Sequence, residues 1–123
     1  MNVVDSSGWL EYFAGGANAS FFAPAIKATD LLVVPTICMY EVSKRLLTQR
    51  GEEDALQAIG IMSIGILADL TREIAINAAT ISTELKIAMA DSIILATTRA
   101  YNATLWTQDS DFKGMEGVQY IGK

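Results

Sequence analysis

Short continuous apolar runs alternate along the chain with longer stretches in which apolar residues recur at helical spacing. The runs cover 2–4, 31–34, 103–106 and 118–121, with a weaker one near 65–69. They are rich in β-branched residues and do not alternate with polar ones, so they predict strands buried on both faces. Helices are expected between them over 7–13, about 18–28, 36–50, 52–63, 73–84 and 91–102. The punctuation agrees. Gly15 and Gly16 stop the first helix, and Pro35 closes a strand while suiting the first turn of the helix that follows. Gly51 breaks that helix, acids at 52–54 favour the next helix's start through its dipole, and Thr71 reads as an N-cap. Residues 109–112 read as a turn or short helix. Strands alternating with helices predict an α/β fold, a three-layer α/β/α sandwich around a mostly parallel sheet.

In such sheets ligands bind beyond the carboxyl ends of the strands. Asp5 follows the first run and Asp109 the 103–106 run, with Thr107 between, so both acids are expected at one edge. Asp91 opens a predicted helix that starts at the same edge. Glu41 lies about two turns into the helix after the second strand, close enough to lean over it. Each acid also has an ordinary explanation. Asp91 suits a helix cap, Asp109 and Asp111 suit turn formation around Ser110, and Glu41 suits a surface pair with Lys44 or Arg45. Asp5 fits least well as scaffolding, because an unpaired carboxylate at the end of a buried strand is costly to desolvate. Four acids converging on one edge are harder to dismiss than any one alone.

Composition narrows the chemistry. The chain has 123 residues, 51% of them hydrophobic and 19% charged, as expected of one globular domain spanning 1–123. The absence of histidine removes Ser-His-Asp and Cys-His catalysis, and a single cysteine, Cys38, removes an internal disulfide or a cysteine-rich zinc site. A carboxylate cluster without imidazole or thiolate is a hard-ligand site suited to Mg²⁺ or Mn²⁺, the chemistry of metal-assisted phosphodiester hydrolysis. The net charge of −5 runs against general nucleic-acid binding, so a nucleic-acid substrate would need a bound divalent cation to offset its phosphates. No apolar stretch is long enough to span a membrane, and the first residues lack the basic region and cleavage site of a signal peptide. The expectation is a cytoplasmic protein without membrane association.

The sequence resembles the PIN-domain family, and within it the VapC-type toxins of toxin–antitoxin pairs. The matching pieces are VVDSS at 3–7, YEVSKRL around Glu41, ADSIILATTRAYNATLWTQDSDF at 90–112 and GVQYI near the end. The resemblance implies a Mg²⁺- or Mn²⁺-dependent endoribonuclease, usually a homodimer, held inactive by a cognate antitoxin. Carried over by position, it makes Asp5, Glu41, Asp91 and Asp109 the catalytic and metal-site acids, with Ser7 and Thr107 as supporting hydroxyls. Asp111 is either a further ligand or the cap of a turn that Phe112 anchors. The alternatives are a PIN-like module acting in RNA processing, or one serving as a non-catalytic dimerisation or binding partner. Phosphatase and phosphorelay folds also place an aspartate after the first strand, but the Asp91 helix and the Thr107-x-Asp109 pattern suit them poorly.

Two further features have simpler readings. Cys38, without a histidine partner, is expected to be a small core residue. Trp9, Tyr12, Phe13, Phe21 and Phe22 are expected to pack in the core or a dimer interface rather than stack on bases, with Trp9 and Tyr12 as a possible groove wall.

Overall fold

Five strands and six α-helices follow one another along the computed structural model, which describes residues 1–123. In chain order they are β1 (Asn2–Val4), α1 (Ser6–Ala14), α2 (Ala19–Lys27), β2 (Leu32–Pro35), α3 (Thr36–Gln49), α4 (Glu52–Met62), β3 (Ile66–Ala68), α5 (Arg72–Leu85), α6 (Met89–Ala100), β4 (Thr104–Thr107) and β5 (Val118–Tyr120). Short 3₁₀ turns occupy Thr29–Leu31 and Ser110–Phe112. The strands form one sheet in the order β3-β2-β1-β4-β5, and every pairing is parallel. Val3 lies opposite Val33 on one side and Leu105 on the other. The connections run outward from β1 to β2 and β3, then return across the sheet to β4. Because such crossovers are right-handed, α1–α4 and α5–α6 cover opposite faces of the sheet, which gives the three layers.

The strands are short, so their burial comes from position in the sheet rather than length. Val3, Val4, Val33, Val34 and Leu105 are inaccessible to solvent, packed with Trp9, Phe22, Cys38, Val42, Met62 and Phe112 from the connections. Helix α6 is buried over seven consecutive residues, Ser92 to Thr98. Its polar residues tolerate this because Thr97 and Thr98 each donate a 2.8 Å hydrogen bond to the carbonyls of Ile93 and Ile94 one turn back. Gly8 permits the close approach of α1 to its neighbours. A Cβ there would stand 2.6 Å from the Phe22 ring and 2.7 Å from Val4.

Among the boundaries that differ from the sequence expectations, four bear on the sheet and the site. Leu31 belongs to a 3₁₀ turn, so β2 runs one residue later and ends at Pro35. β4 likewise runs one residue later and takes in Thr107, pairing it with Tyr120. β5 ends at Tyr120, leaving Ile121 outside it. Helix α6 starts two residues before Asp91, with Ala88 at its N-cap and no capping side chain. Lys86 ends α5 in the left-handed conformation (φ 56°), and the chain re-enters a helix almost at once through apolar residues that carry no start signal.

Candidate active site

β1 sits where the chain's progression across the sheet reverses, with β2 on one side and β4 on the other. The carboxyl ends of β1 and β4 therefore flank the switch-point crevice, where ligands bind in open parallel sheets. Asp5 directly follows β1, and Asp109 stands two residues beyond β4. Glu41 enters from α3 and Asp91 from the first turn of α6. All four line one cleft of about 470 Å³, together with Ser6 and Ser7; Tyr40, Lys44, Arg45 and Thr48 of α3 also line it.

Asp5 is 2% exposed and caps α1. One carboxylate oxygen accepts from the Ser7 hydroxyl at 2.8 Å and the Gly8 amide at 2.9 Å, and the other accepts from the Thr107 hydroxyl at 2.6 Å. Burial nevertheless raises its pKa from 3.8 to about 6; the three hydrogen bonds oppose the rise and the nearby Asp109 adds to it. The Thr107 oxygen in turn accepts from the Asp109 amide at 2.9 Å, and an Asp109 carboxylate oxygen accepts from the Asp111 amide at 2.9 Å. This capped 3₁₀ turn is anchored by the buried Phe112.

Asp91, Asp109 and Asp111 each place a carboxylate oxygen within 4.8 Å of the other two. The pKa of Asp91 rises to about 6, first through desolvation and then through repulsion from Asp109, Asp5, Glu41 and Asp111. No lysine or arginine stands within 4.0 Å of these carboxylates, although Lys44 and Arg45 line the same cleft. The only ion pair in the chain joins Arg50 and Asp54 at 3.9 Å, on the surface. Glu41 does not pair with Lys44 or Arg45; its Oε1 accepts from the Ser6 hydroxyl at 2.7 Å. An all-oxygen donor set of carboxylates without ion-pair partners fits a hard divalent cation such as Mg²⁺ or Mn²⁺.

Of the residues singled out in the sequence, Asp5, Ser7, Glu41, Asp91 and Asp109 line the cleft. Thr107 lies fully buried behind Asp5, and Asp111 stands outside the cleft wall on the Asp91–Asp109 side. Asp91 does not cap its helix. Ser6, Tyr40 and Thr48 escaped the sequence reading. Ser6 was accessible to it, since an Asp5 cap puts Ser6 in the first turn of α1 at the strand end. Trp9 and Phe22 are fully buried, so Trp9 cannot wall a groove. Its Nε1 has no partner. Cys38 is buried, and burial pushes its thiol well above the usual range, away from nucleophilic use.

The family model described as the PIN domain matches residues 3–118, and the chain belongs to that family. A chain of a toxin–antitoxin complex from Klebsiella pneumoniae superposes with a TM-score of 0.82 at 22% identity, covering 97% of this chain and 96% of that one. VapC20 from Mycobacterium tuberculosis, a sarcin–ricin loop cleaving toxin, gives 0.76 at 18% identity, over 91% and 92% of the two chains. VapBC2 from Rickettsia felis, bound to a DNA fragment from its promoter, gives 0.75 at 16%, over 98% and 97%. At these identities the likeness is one of fold. No curated protein sequence matches the chain. No helix is long and apolar enough to cross a membrane.

Proposed function

We propose that this PIN-domain chain is a Mg²⁺- or Mn²⁺-dependent endoribonuclease and the toxin of a toxin–antitoxin pair, with residues 1–123 forming a single nuclease domain. The observation that carries the reading is the convergence of Asp5, Glu41, Asp91 and Asp109, from four different elements, on one cleft in which none of them is ion-paired. Asp91, Asp109 and Asp111 are the groups best spaced to hold the ion, with Asp5 and Glu41 completing the acidic wall. Bound there, the ion supplies Lewis-acid polarisation of a phosphodiester and lowers the pKa of a water.

The chain's own residues supply orientation. Thr107, Ser7 and Gly8 hold the Asp5 carboxylate in one rotamer, so its charge does not have to reorganise during the reaction. Ser6 does the same for Oε1 of Glu41 and leaves Oε2 without a protein partner, available to accept a proton from an attacking water. The partners of this reading are an RNA substrate, a cognate antitoxin and a second copy of the chain. Structural neighbours in toxin–antitoxin complexes support the antitoxin. Exposed Ile64, Leu67 and Leu70 along the β3 edge of the sheet support self-association.

The test is expression of the protein alone and with its neighbouring gene product, alongside RNA cleavage by purified protein with and without EDTA. Growth arrest relieved by the neighbour, and cleavage abolished by chelation and by Asp91→Asn, are expected. Full cleavage in EDTA would sink the metal mechanism. Unimpaired growth at high expression of metal-replete protein would favour a role in RNA processing or as a binding module.

A further inference from the structure

The acids explain the floor of the cleft but not its α3 wall. Tyr40, Lys44 and Thr48 follow one another at a spacing of four, so they form one stripe along α3, with Arg45 beside it. Tyr40 is 60% exposed, unusual for an aromatic residue in a chain that buries Trp9 and Phe22 completely. The Lys44 ammonium stands 5.8 Å from the centre of the Tyr40 ring. Neither Lys44 nor Arg45 is paired with an acid, although Glu41 lies three and four residues before them. The same stripe borders a second, largely apolar groove of about 400 Å³, lined by Tyr40, Ser43, Lys44, Leu47 and Thr48. The two concavities share Tyr40, Lys44 and Thr48 as their common border.

We propose that this stripe is a subsite for the single-stranded RNA flanking the scissile bond, an inference that rests on the nuclease reading above. Lys44 and Arg45 hold phosphates adjoining the acidic floor, and Tyr40 stacks on an unpaired base that leaves the cleft over the second groove. Charge decides between occupants. The net charge of −5 and the four acids repel a polyanion, so a strand reaching this floor needs cations at its edge. The unpaired cations that line the cleft, Lys44 and Arg45, are both on this wall. An exposed ring next to phosphate-binding cations is the arrangement that binds single strands through stacking and backbone contact, without sequence readout.

The probe is a fluorescein-labelled single-stranded RNA of about 12 nucleotides, within the length range that single-strand binding grooves cover. Its binding is followed by anisotropy in the Asp91→Asn background, so that it is not consumed. Each lost phosphate contact should lower the salt dependence of binding by about 0.7, so Lys44→Gln/Arg45→Gln should flatten the log–log slope by about 1.4 and weaken binding about tenfold or more. Tyr40→Ala should weaken binding by about fivefold or more, while Tyr40→Phe keeps it, since stacking needs the ring and not the hydroxyl. With Asp91 restored, the same α3 variants should raise KM for RNA cleavage and leave kcat within about threefold, and Mn²⁺ binding should be unchanged. An unaltered salt slope and KM in Lys44→Gln/Arg45→Gln, with cleavage intact, overturns the subsite and leaves the nuclease reading standing. Unaltered RNA binding with weakened capture of the co-expressed neighbouring gene product overturns it in favour of a protein-docking face. A wild-type protein that binds RNA through α3 but never cleaves it removes the nuclease reading, and with it a subsite beside a scissile bond, and leaves α3 as an RNA-binding face only.

Discussion

The Thr107 hydroxyl donates a 2.6 Å hydrogen bond to the Asp5 carboxylate, joining side chains 102 residues apart at the ends of adjacent strands. The same oxygen accepts from the Asp109 amide, so one buried threonine fixes the first acid of the chain and the backbone of the acid that follows β4 together. Their separation is therefore set by the β1–β4 register rather than by a flexible loop.

Thr107→Val should remove that donor while nearly preserving shape, leaving a buried carboxylate oxygen short of a partner. The expected cost is about 1–3 kcal/mol of unfolding free energy at neutral pH. Thr107→Ser should recover most of it. Urea unfolding in EDTA measures both, and a valine variant as stable as wild type would show that Asp5 does not depend on this bond.

The elevated pKa values give a pH dependence with a definite sign. Asp5 and Asp91 bind protons more tightly folded (about 6) than in their ordinary state (3.8), so their contribution to stability is present below about pH 4 and lost as pH rises through about 6. For the buried Asp5 the difference corresponds to roughly 2–3 kcal/mol. Asp91→Asn should therefore match wild type at pH 4 but be more stable above pH 7 when no metal is present, and added Mg²⁺ should narrow that gap by stabilising only the wild type. Urea midpoints across pH 4–8, with EDTA or Mg²⁺, test this. A variant advantage that stays constant across the range would remove charge repulsion as its cause.

The alternation of apolar runs and helical stretches was enough to read the α/β architecture. The strand ends were enough to put Asp5 and Asp109 at one edge, since Asp5 follows its apolar run directly and Asp109 follows the 103–106 run within three residues. What a single sequence does not encode is which long-range partner settles a local choice. Asp91 looks like a helix cap until Met89 and Ala90 are seen to lie within the helix, and nothing in Lys86-Ile87-Ala88 advertises a start. Glu41 looks paired with Lys44 or Arg45 because both lie one turn away, but Ser6, 35 residues distant, takes its oxygen instead. The helical pattern equally could not separate the buried Trp9 from the exposed Tyr40, because that difference depends on which face of α1 and of α3 meets a neighbour.

Asp111 tests whether the last turn is a ligand or a scaffold. Its amide is capped by Asp109, yet its carboxylate lies within 4.8 Å of those of Asp91 and Asp109. Asp111→Asn should weaken Mn²⁺ binding, measured by titration calorimetry, and leave unfolding unchanged. Asp109→Asn should weaken Mn²⁺ binding while its amide oxygen still caps the turn, whereas Asp109→Ala should also lose about 0.5–2 kcal/mol of stability. Unchanged Mn²⁺ affinity in Asp111→Asn would confine that residue to the turn.

Gly8 links the packing of α1 to the geometry of the site. Replacing a helical glycine with alanine ordinarily stabilises by about 0.5–1 kcal/mol, because the unfolded chain has less freedom to lose. Here the added Cβ would meet the Phe22 ring at 2.6 Å and Val4 at 2.7 Å, both fully buried. Overpacking of that kind costs about 1–3 kcal/mol, so the sign should reverse and Gly8→Ala should destabilise. Relief by moving α1 outward would also draw the Gly8 amide away from the Asp5 oxygen it now reaches at 2.9 Å, disturbing the acid as well as the core. Gly8→Ala should thus lower the urea midpoint and weaken Mn²⁺ binding together. Trimming the obstructing ring, in Gly8→Ala/Phe22→Leu, should return metal affinity further than stability, since the shortened side chain leaves a void of its own. A stabilised Gly8→Ala protein with intact metal binding would show that α1 has room to spare, and that its contact with β1 does not hold Asp5 in place.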